Sequence, residues 1–409
     1  MAHGPRSDSE TARSLRDGAV ALLASRALVW ACGISAFLVA GVGADARYDH
    51  GGLTKSFGAV GNALAAPAVR WDSNWYVDIA HHGYANGAVE PAFFPLYPLL
   101  MRAVGVVTGS VVLAGVLISF AAFAVALTLL HRLTALELGA DAARRTVVLL
   151  AFFPTALFFS AVYTEALFLA LELGAFYAAR RGRWAWAGAL GALGAATRNT
   201  GSLLAVALLF LYLYGPREDR EPLPRRAGLR PRYALGPDIA WIGLVPLGLA
   251  AYLAYLGVHL HDALATFHAT HDYFHRSFDG PLSGLWEGAA KAYHATGALL
   301  AGNGDAASLR KIALFVVAMG VVSAAVGVIR RLPSVYGVYT VVSLLPVLSF
   351  PYPPGPLASS LRYAAVVFPL FMWLGLRLSD RRAYALTVAV FTIGLAYSAG
   401  MFATWHFVA

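Results

Sequence analysis

The run from Ser110 to Leu130, SVVLAGVLISFAAFAVALTLL, indicates the class of fold, because it holds no charged side chain. About 20 such residues in a helix cross the hydrocarbon of a bilayer. The rest of the chain has the same character, since 59% of its 409 residues are hydrophobic and 13% are charged. Soluble proteins average about 45–50% and 25%, and a soluble fold cannot hide so much apolar surface. The chain is predicted to be an all-α polytopic membrane protein.

Ten further apolar stretches give eleven predicted transmembrane helices in one domain, residues 1–409. They cover residues 18–42, 146–162, 164–180, 184–198, 200–214, 238–258, 312–329, 332–350, 363–378 and 383–401. The first lacks a small-residue cleavage site and is predicted to be a retained helix. Pro95, Pro98 and Arg102 make 93–109 a poor crossing, so this stretch is predicted to be interfacial or re-entrant.

Charge placement predicts the orientation of the bundle. The net charge is +9, but the basic residues stand in short clusters between apolar runs, as topology signals do, so no nucleic-acid partner is expected. With the N-terminus inside, 21 of the 31 basic residues, Arg26 among them, are cytoplasmic. The positive-inside rule therefore predicts an N-in/C-out protein of the cell membrane. Residues 1–17 form a cytoplasmic tail, and two long segments, 43–109 and 259–311, are extracytoplasmic.

The inner loops offer no catalytic domain. They are short and basic, and no glycine-rich phosphate loop occurs in the sequence, so a cytoplasmic ATP or nucleotide-sugar site has no basis. The one cysteine, Cys32, excludes an internal disulfide bond. Any chemistry is predicted to lie on the extracytoplasmic face.

The most informative polar stretch runs from Arg70 to Tyr84, RWDSNWYVDIAHHGY. It is too polar to span and too aromatic to float free, so interfacial helices are predicted in this loop. A helix over 72–82 would place Asp72 with Trp75, Tyr76 and Ile79 on one face, and Asp78 and His82 four positions apart on another. Alternatively, Asp72 is only an N-cap and the aromatic residues form an interfacial belt.

This stretch, with FFPLYP at 93–98, resembles the first luminal loop of the second GPI mannosyltransferase, the PIG-V family, and of its bacterial relatives. An arginine-rich, alanine-rich composition also suggests a GC-rich bacterial genome. Further stretches resemble the same family in the same order: FPTALFF at 153–159, YTE at 163–165, TRNTG at 197–201, LRY at 361–363 and FP at 368–369. Such proteins are GT-C glycosyltransferases, multi-helix enzymes that use a lipid-phosphate sugar donor and an acidic residue in the first outer loop.

The resemblance implies a hexosyltransferase that moves mannose from a polyprenyl-phosphate donor to an extracytoplasmic glycan, glycolipid or protein. Asp72 is the implied catalytic base, since an acceptor hydroxyl must lose its proton to attack, and a single displacement inverts the anomeric centre. Arg198 and Arg362 are suited to the departing phosphate. The substrate-binding candidates are Arg70, Trp71, Trp75, Tyr76, Asp78, His82, Glu165, Arg198, Asn199, Arg362 and Tyr363. The predicted topology brings the four central residues Asp72, Glu165, Arg198 and Arg362 to one face.

Some residues leave alternatives open. Glu172 lies inside an apolar run and is either functional or held by a neighbouring helix, and Arg198 alternatively anchors a helix end in the headgroup layer. His268, His271 and His275 would share a helical face with metal-ligand spacing. No cofactor is expected. The alternative is a divalent metal ion bound by Asp72 or Asp78 together with a histidine.

Two other functions compete with glycosyl transfer. A transporter or flippase of a lipid-linked sugar would show inverted repeats and polar groups at the membrane midplane. The sequence shows no evident repeat, and its polar residues gather at one predicted surface, which favours transfer. A non-catalytic partner subunit would use the same fold.

Overall fold

The structure is a computed structural model that describes residues 5–49, 52, 57–84, 88–223, 230–352 and 355–408. Within these ranges the chain forms helices and no β-strand. The α-helices are Pro5–Ala40 (α1), Gly58–Ala65 (α2), Ser73–His82 (α3), Leu96–Thr108 (α4), Val111–Leu138 (α5), Ala140–Ala151 (α6), Glu165–Arg180 (α7), Trp184–Ala195 (α8), Leu204–Tyr214 (α9), Leu244–His259 (α10), Ala265–Asp272 (α11), Ser283–Leu300 (α12), Ala306–Arg331 (α13), Ser334–Ser349 (α14), Ser360–Ala365 (α15), Phe368–Arg377 (α16) and Arg381–Ala403 (α17). Short 3₁₀ helices cover Ala44–Tyr48, Glu90–Ala92, Ala156–Phe159, Asn199–Leu203 and Pro237–Gly243.

Five helices of the described chain are long and apolar enough to cross a membrane. They cover Glu10–Ala40, Val111–Leu138, Pro237–His259, Ala306–Arg331 and Arg381–Ala403. The prediction of an all-helical chain with membrane-spanning character is confirmed. The count of eleven spans and the N-in/C-out orientation remain predictions.

Two predicted spans are not continuous helices. The stretch 146–162 is interrupted because α6 ends at Ala151, and the backbone then runs to Thr164 without an α-helix, through the 3₁₀ helix Ala156–Phe159. Pro154 explains this break, since proline has no N–H to donate and disfavours a helical residue before it. The stretch 363–378 is likewise divided between α15 and α16, with Pro369 in the first turn of the second helix.

The irregular segment 152–164 is stabilised by an arginine that the sequence analysis assigned to the cytoplasm. Arg26 lies buried within the bundle, on α1. Its Nη1 donates to the carbonyl of Ala156 and to Oγ of Ser160, both at 2.7 Å, and its Nη2 donates to the carbonyl of Ala151 at 3.3 Å. The cytoplasmic assignment of Arg26 was wrong, because a broken helix leaves carbonyls that need an internal donor.

The same segment joins distant parts of the chain at one end of the bundle. The N–H of Val162 donates to the carbonyl of Ala68 in the first loop at 2.8 Å. Thr155 donates through its hydroxyl to the carbonyl of Leu361 in α15 at 3.1 Å. Residues 163–165, which follow directly, are therefore held between the first loop and α15.

The first loop contains the short helices predicted for it. The helix expected over 72–82 is α3, which begins at Ser73 and ends at His82. The stretch expected to be interfacial or re-entrant contains α4, whose 13 residues extend about 20 Å at 1.5 Å per residue. Pro98 is tolerated because it lies in the first turn, where its missing N–H has no helical partner. This length is shorter than the hydrocarbon layer of a bilayer.

Candidate active site

Four charged side chains from four separate parts of the chain form one bonded network. Arg362 donates from Nη1 to Oδ2 of Asp72 at 2.7 Å and from Nε to Oε1 of Glu165 at 2.6 Å. Arg198 donates from Nη1 to the same Oε1 at 2.8 Å. We call Asp72, Arg362, Glu165 and Arg198 the carboxylate–arginine network. The predicted convergence of these four residues is confirmed.

The network is buried on one side and open on the other. The Glu165 side chain is fully buried, whereas that of Asp72 is 28% exposed. Burial alone would lower the pKa of Arg362, but the carboxylates of Glu165 and Asp72 outweigh it and hold this pKa well above its ordinary value. Arg362 therefore stays a cation at every physiological pH. The four formal charges cancel.

Asp72 does not act as a helix cap. It occupies the position before α3, but its carboxylate accepts no hydrogen bond from the first turn of that helix. Its Oδ2 accepts from Arg362, and Oδ1 has no hydrogen-bond partner among the residues the structure describes. The capping alternative fails, and the carboxylate is held on one side and free on the other.

The backbone around Asp72 is strained and is held in place by hydrogen bonds. Trp71 has a φ of 56°, in the left-handed region that large side chains rarely adopt. Tyr163 fixes this turn through its hydroxyl, which accepts from the N–H of Asp72 and donates to the carbonyl of Arg70, each at 3.1 Å. Such strain persists only where the surroundings enforce it, and it recurs at functional sites.

Tyr163 is a site residue that the sequence analysis did not assign. Its ring lies 4.7 Å from the guanidinium of Arg362, and the ring of Phe158 lies 5.1 Å from the same group. Cation–π contacts of this kind hold a guanidinium in place. The signal was present, because both residues belong to the two stretches, FPTALFF and YTE, that resemble the family.

Arg70 and Trp71 support the loop and do not join the network. Arg70 is fully buried and donates from Nε to the carbonyl of Ala403 at 3.0 Å, so it joins the first loop to the end of α17. Burial lowers its pKa to about 10, which leaves it charged at neutral pH. Trp71 packs against the rings of Tyr48, Trp405 and Phe407.

Trp75 and Tyr76 lie on the helix face predicted for them, beside the network. The hydroxyls of Tyr76 and Thr164 are 3.4 Å apart, and the Tyr76 ring contacts that of Tyr163. The Trp75 ring stacks on Phe93, at 6.1 Å between centroids. These aromatic contacts pack α3 beside the network.

Tyr363, Tyr273 and Arg276 also lie near the network. The Tyr363 ring lies 5.3 Å from the guanidinium of Arg198 and 5.9 Å from that of Arg276. The ring of Tyr273 contacts Trp75 edge-on. Burial first, and then the phenol of Tyr48 and the carboxylate of Asp72, raise the pKa of Tyr273. The second long predicted segment, 259–311, thus reaches the site, which the sequence did not reveal.

Three predicted site residues lie apart from the network. Asp78 and His82 pair with each other at 2.8 Å, as their spacing predicted, but on the exposed end of α3. Asn199 is exposed, and its side-chain oxygen accepts from the N–H of Thr200 at 2.7 Å. No contact in the described chain joins these three side chains to Asp72 or Glu165.

Glu172 and the histidines have other partners. Tyr339 of α14 donates a hydrogen bond to Glu172, in line with the alternative that a neighbouring helix holds this carboxylate. His268 pairs with Asp262 and His271 with Asp272, each at 2.7 Å. The helix predicted to align three histidines ends at Asp272, and His275 lies beyond it with a φ of 49°, so that alignment was wrong. Among the described residues, no group of three or more His, Cys, Asp or Glu side chains is placed to hold a metal ion.

The arrangement can bind one proton donor and position it. Arg362 fixes Oδ2 of the partly exposed Asp72 side chain, and Oδ1 remains available to a ligand. The aromatic residues beside the network supply flat apolar surfaces of the kind that bind sugar rings and lipid chains. A carboxylate placed in this way is suited to accept a proton from a bound hydroxyl group.

Comparison with known proteins bears on the chemistry of this site. The family model described as Mannosyltransferase (PIG-V) matches residues 57–213. This stretch contains Asp72, Glu165 and Arg198 and ends before Arg362. Comparison with curated proteins and with solved structures gave no match. The resemblance drawn from the sequence motifs is confirmed: over residues 57–213 this helical chain is similar to the PIG-V mannosyltransferases.

Proposed function

We propose that the protein is an integral membrane mannosyltransferase of the GT-C type. It transfers mannose from a polyprenyl-phosphate donor to an extracytoplasmic glycan, glycolipid or protein, with inversion, and Asp72 is the base. The observation that carries this proposal is the fixed but half-free carboxylate of Asp72 at the open side of a buried ionic network. The family match over residues 57–213 is the reason for naming mannose as the transferred sugar.

The proposed step is a single displacement. The acceptor hydroxyl attacks the anomeric carbon of the mannose while its proton moves to Oδ1 of Asp72. The bond from the anomeric carbon to the phosphate oxygen breaks, and its electron pair leaves with the polyprenyl phosphate. Because a phosphate is a good leaving group, no protein acid is needed on that side. A carboxylate near the anomeric carbon also stabilises the oxocarbenium-like charge of the transition state.

The other members of the network act as positioning residues in this proposal. Arg198 and Arg362 were expected to bind the departing phosphate, but each guanidinium is bonded to a carboxylate. Arg362 holds Asp72 in one orientation, and Glu165 and Arg198 hold Arg362. Catalytic groups must be placed to within a fraction of an ångström to be effective, so this chain of bonds supports the base.

The experiment is a reconstituted transfer assay with a labelled donor. Purified protein in proteoliposomes receives polyprenyl-phosphate [¹⁴C]mannose and a candidate acceptor fraction from membranes. The proposal predicts a new glycosidic product, whose anomeric configuration, read by NMR, is opposite to that of the donor. Movement of labelled donor across the bilayer without any glycosidic product would instead support the transporter alternative. Absence of both product and donor movement would support the alternative of a non-catalytic partner subunit.

A further inference from the structure

Arg276 is a cation close to the network that has no acidic partner among the described residues. It lies between α11 and α12, where its guanidinium covers the rings of Tyr352 and Tyr363, each at 5.9 Å. Its Nη1 donates to the carbonyl of Phe350 at 3.3 Å. No carboxylate of the described residues lies within 4.0 Å of it. Most of its donor capacity is therefore available to a ligand.

The local charge favours an anionic ligand at this position. The carboxylate–arginine network is neutral, since its two carboxylates balance its two guanidiniums. Arg276, which is half-buried, adds one positive charge that no described carboxylate pairs within 4.0 Å. A partly desolvated guanidinium is stabilised by an anion that accepts two parallel hydrogen bonds, as phosphate does.

The geometry of inversion places the phosphate away from Asp72. In a single displacement the base lies on the acceptor side of the anomeric carbon and the leaving group on the opposite side. In inverting glycosidases the acid and the base likewise lie on opposite faces of the sugar ring, with their carboxyl groups about 6.5–9.5 Å apart. Arg362 is bonded directly to Asp72 at 2.7 Å and so belongs to the acceptor side. Arg276 contacts the ring of Tyr363, as Arg198 does, but it makes no ion pair with Asp72 or Glu165.

We propose that Arg276, framed by Tyr352 and Tyr363, binds the phosphate of the prenyl-phosphate donor. This inference rests on the proposed function and names the group that receives the leaving phosphate. As the bond from the anomeric carbon breaks, its electron pair adds negative charge to the phosphate oxygens. Hydrogen bonds from Arg276 to these oxygens strengthen at that moment, which is how a fixed cation accelerates such a step.

A binding measurement tests the proposal without turnover. The probe is farnesyl phosphate, with farnesol as the matching prenyl chain without phosphate, and binding to the full-length protein in detergent is followed by intrinsic tryptophan fluorescence. We expect the wild type to prefer farnesyl phosphate and Arg276→Gln to lose about 10–100-fold in that affinity, as for a lost charged hydrogen bond. Farnesol binding should not change.

Arg310→Gln is the matched control. Like Arg276, Arg310 donates to a backbone carbonyl at 3.3 Å and covers an aromatic ring at 5.9 Å, in its case the ring of Phe407. The affinity of the Arg310→Gln variant for farnesyl phosphate should equal that of the wild type. Equal affinity in Arg276→Gln and the wild type, or a wild type that does not distinguish farnesyl phosphate from farnesol, would overturn the proposal.

Kinetics separate this inference from the proposed function. If the wild type transfers mannose, Arg276→Lys should raise KM for the donor at least as much as it lowers kcat, because lysine keeps the charge and loses the fork. If the wild type transfers mannose and the donor KM of Arg276→Gln equals that of the wild type, this inference alone is wrong. If the wild type binds farnesyl phosphate through Arg276 but transfers no mannose, the proposed function is wrong instead.

Discussion

Arg362 donates a hydrogen bond from Nη1 to Oδ2 of Asp72 at 2.7 Å, although 290 positions separate the two residues along the chain. The bond joins the first loop to α15 across a break in the helical backbone. The same guanidinium also holds the buried Glu165 through its Nε. Arg362 is thus the centre of the site, and the orientation of Asp72 depends on it.

Replacing Arg362 by lysine should inactivate the protein. Lysine keeps the charge, but one ammonium on a flexible stem does not reproduce the guanidinium fork that joins Asp72 to Glu165. Small displacements of a catalytic group cost about 100-fold in rate, so we expect Arg362→Lys to lose at least about 100-fold in kcat. The measurement is transfer by purified variants. Arg331→Lys, at the exposed end of α13, is the control, and near-normal kcat in Arg362→Lys would contradict this role.

Glu165 and Arg198 should be energetically coupled. Removing Glu165 leaves two largely buried guanidiniums without their shared partner, and breaking a buried ion pair typically costs about 3–5 kcal/mol. In detergent, Glu165→Gln alone should lower the thermal unfolding temperature by more than half of the decrease caused by Glu165→Gln and Arg198→Gln together. Bonded pairs deviate from additivity by about 0.5–3 kcal/mol. Strictly additive effects would show that the pair contributes nothing.

The Tyr163 hydroxyl should matter for rate. Tyr163→Phe keeps the ring over Arg362 but removes the two hydrogen bonds to the Arg70–Asp72 backbone. Each is worth about 1 kcal/mol net, and about 1.4 kcal/mol corresponds to tenfold in rate. We therefore expect kcat to fall about 10–30-fold with donor KM unchanged. Tyr397→Phe, on an exposed face of α17, should leave both constants unaltered. A normal kcat in Tyr163→Phe would show that these two hydrogen bonds do not position Asp72.

The predicted orientation can be tested with single cysteines. Cys32→Ser removes the natural thiol, and Ala88→Cys and Ala234→Cys then place one thiol in the first predicted outer loop and one in the basic inner loop. Both positions are exposed. A membrane-impermeant maleimide added to intact cells should label the cysteine at position 88 and should label that at position 234 only after lysis. The reverse pattern would invert the topology and place the site on the cytoplasmic side.

Much of the site followed from the sequence because its residues lie in polar motifs at the ends of apolar runs. The helix over 72–82 and the pairing of Asp78 with His82 follow from helical spacing alone. The convergence of Asp72, Glu165 and Arg198 follows from counting spans, because each lies at the same predicted side. Periodicity and charge therefore predict which end of the bundle holds the site.

What the sequence did not reveal depends on contacts between irregular segments. Arg26 looks like a topology signal until the break after Ala151 exposes carbonyls that need it. Arg276 lies in a segment without a recognisable motif and reaches the site only because that segment packs on the loop before α15. Arg362 was expected to bind phosphate, and its direct bonds to Asp72 and Glu165 become visible only in the fold. Long-range pairing of this kind has no local pattern.

The most direct measurement compares mannosyl transfer by the wild type and by Asp72→Asn. Asparagine keeps the size of the side chain and can still accept the hydrogen bond from Arg362, but it cannot take a proton. Loss of a positioned base costs about 10²–10⁴-fold. We predict that Asp72→Asn loses transfer to that extent and keeps the unfolding temperature and farnesyl phosphate binding of the wild type. Asp141→Asn, on the exposed first turn of α6, should remain fully active. Near-normal transfer by Asp72→Asn would contradict the mechanism.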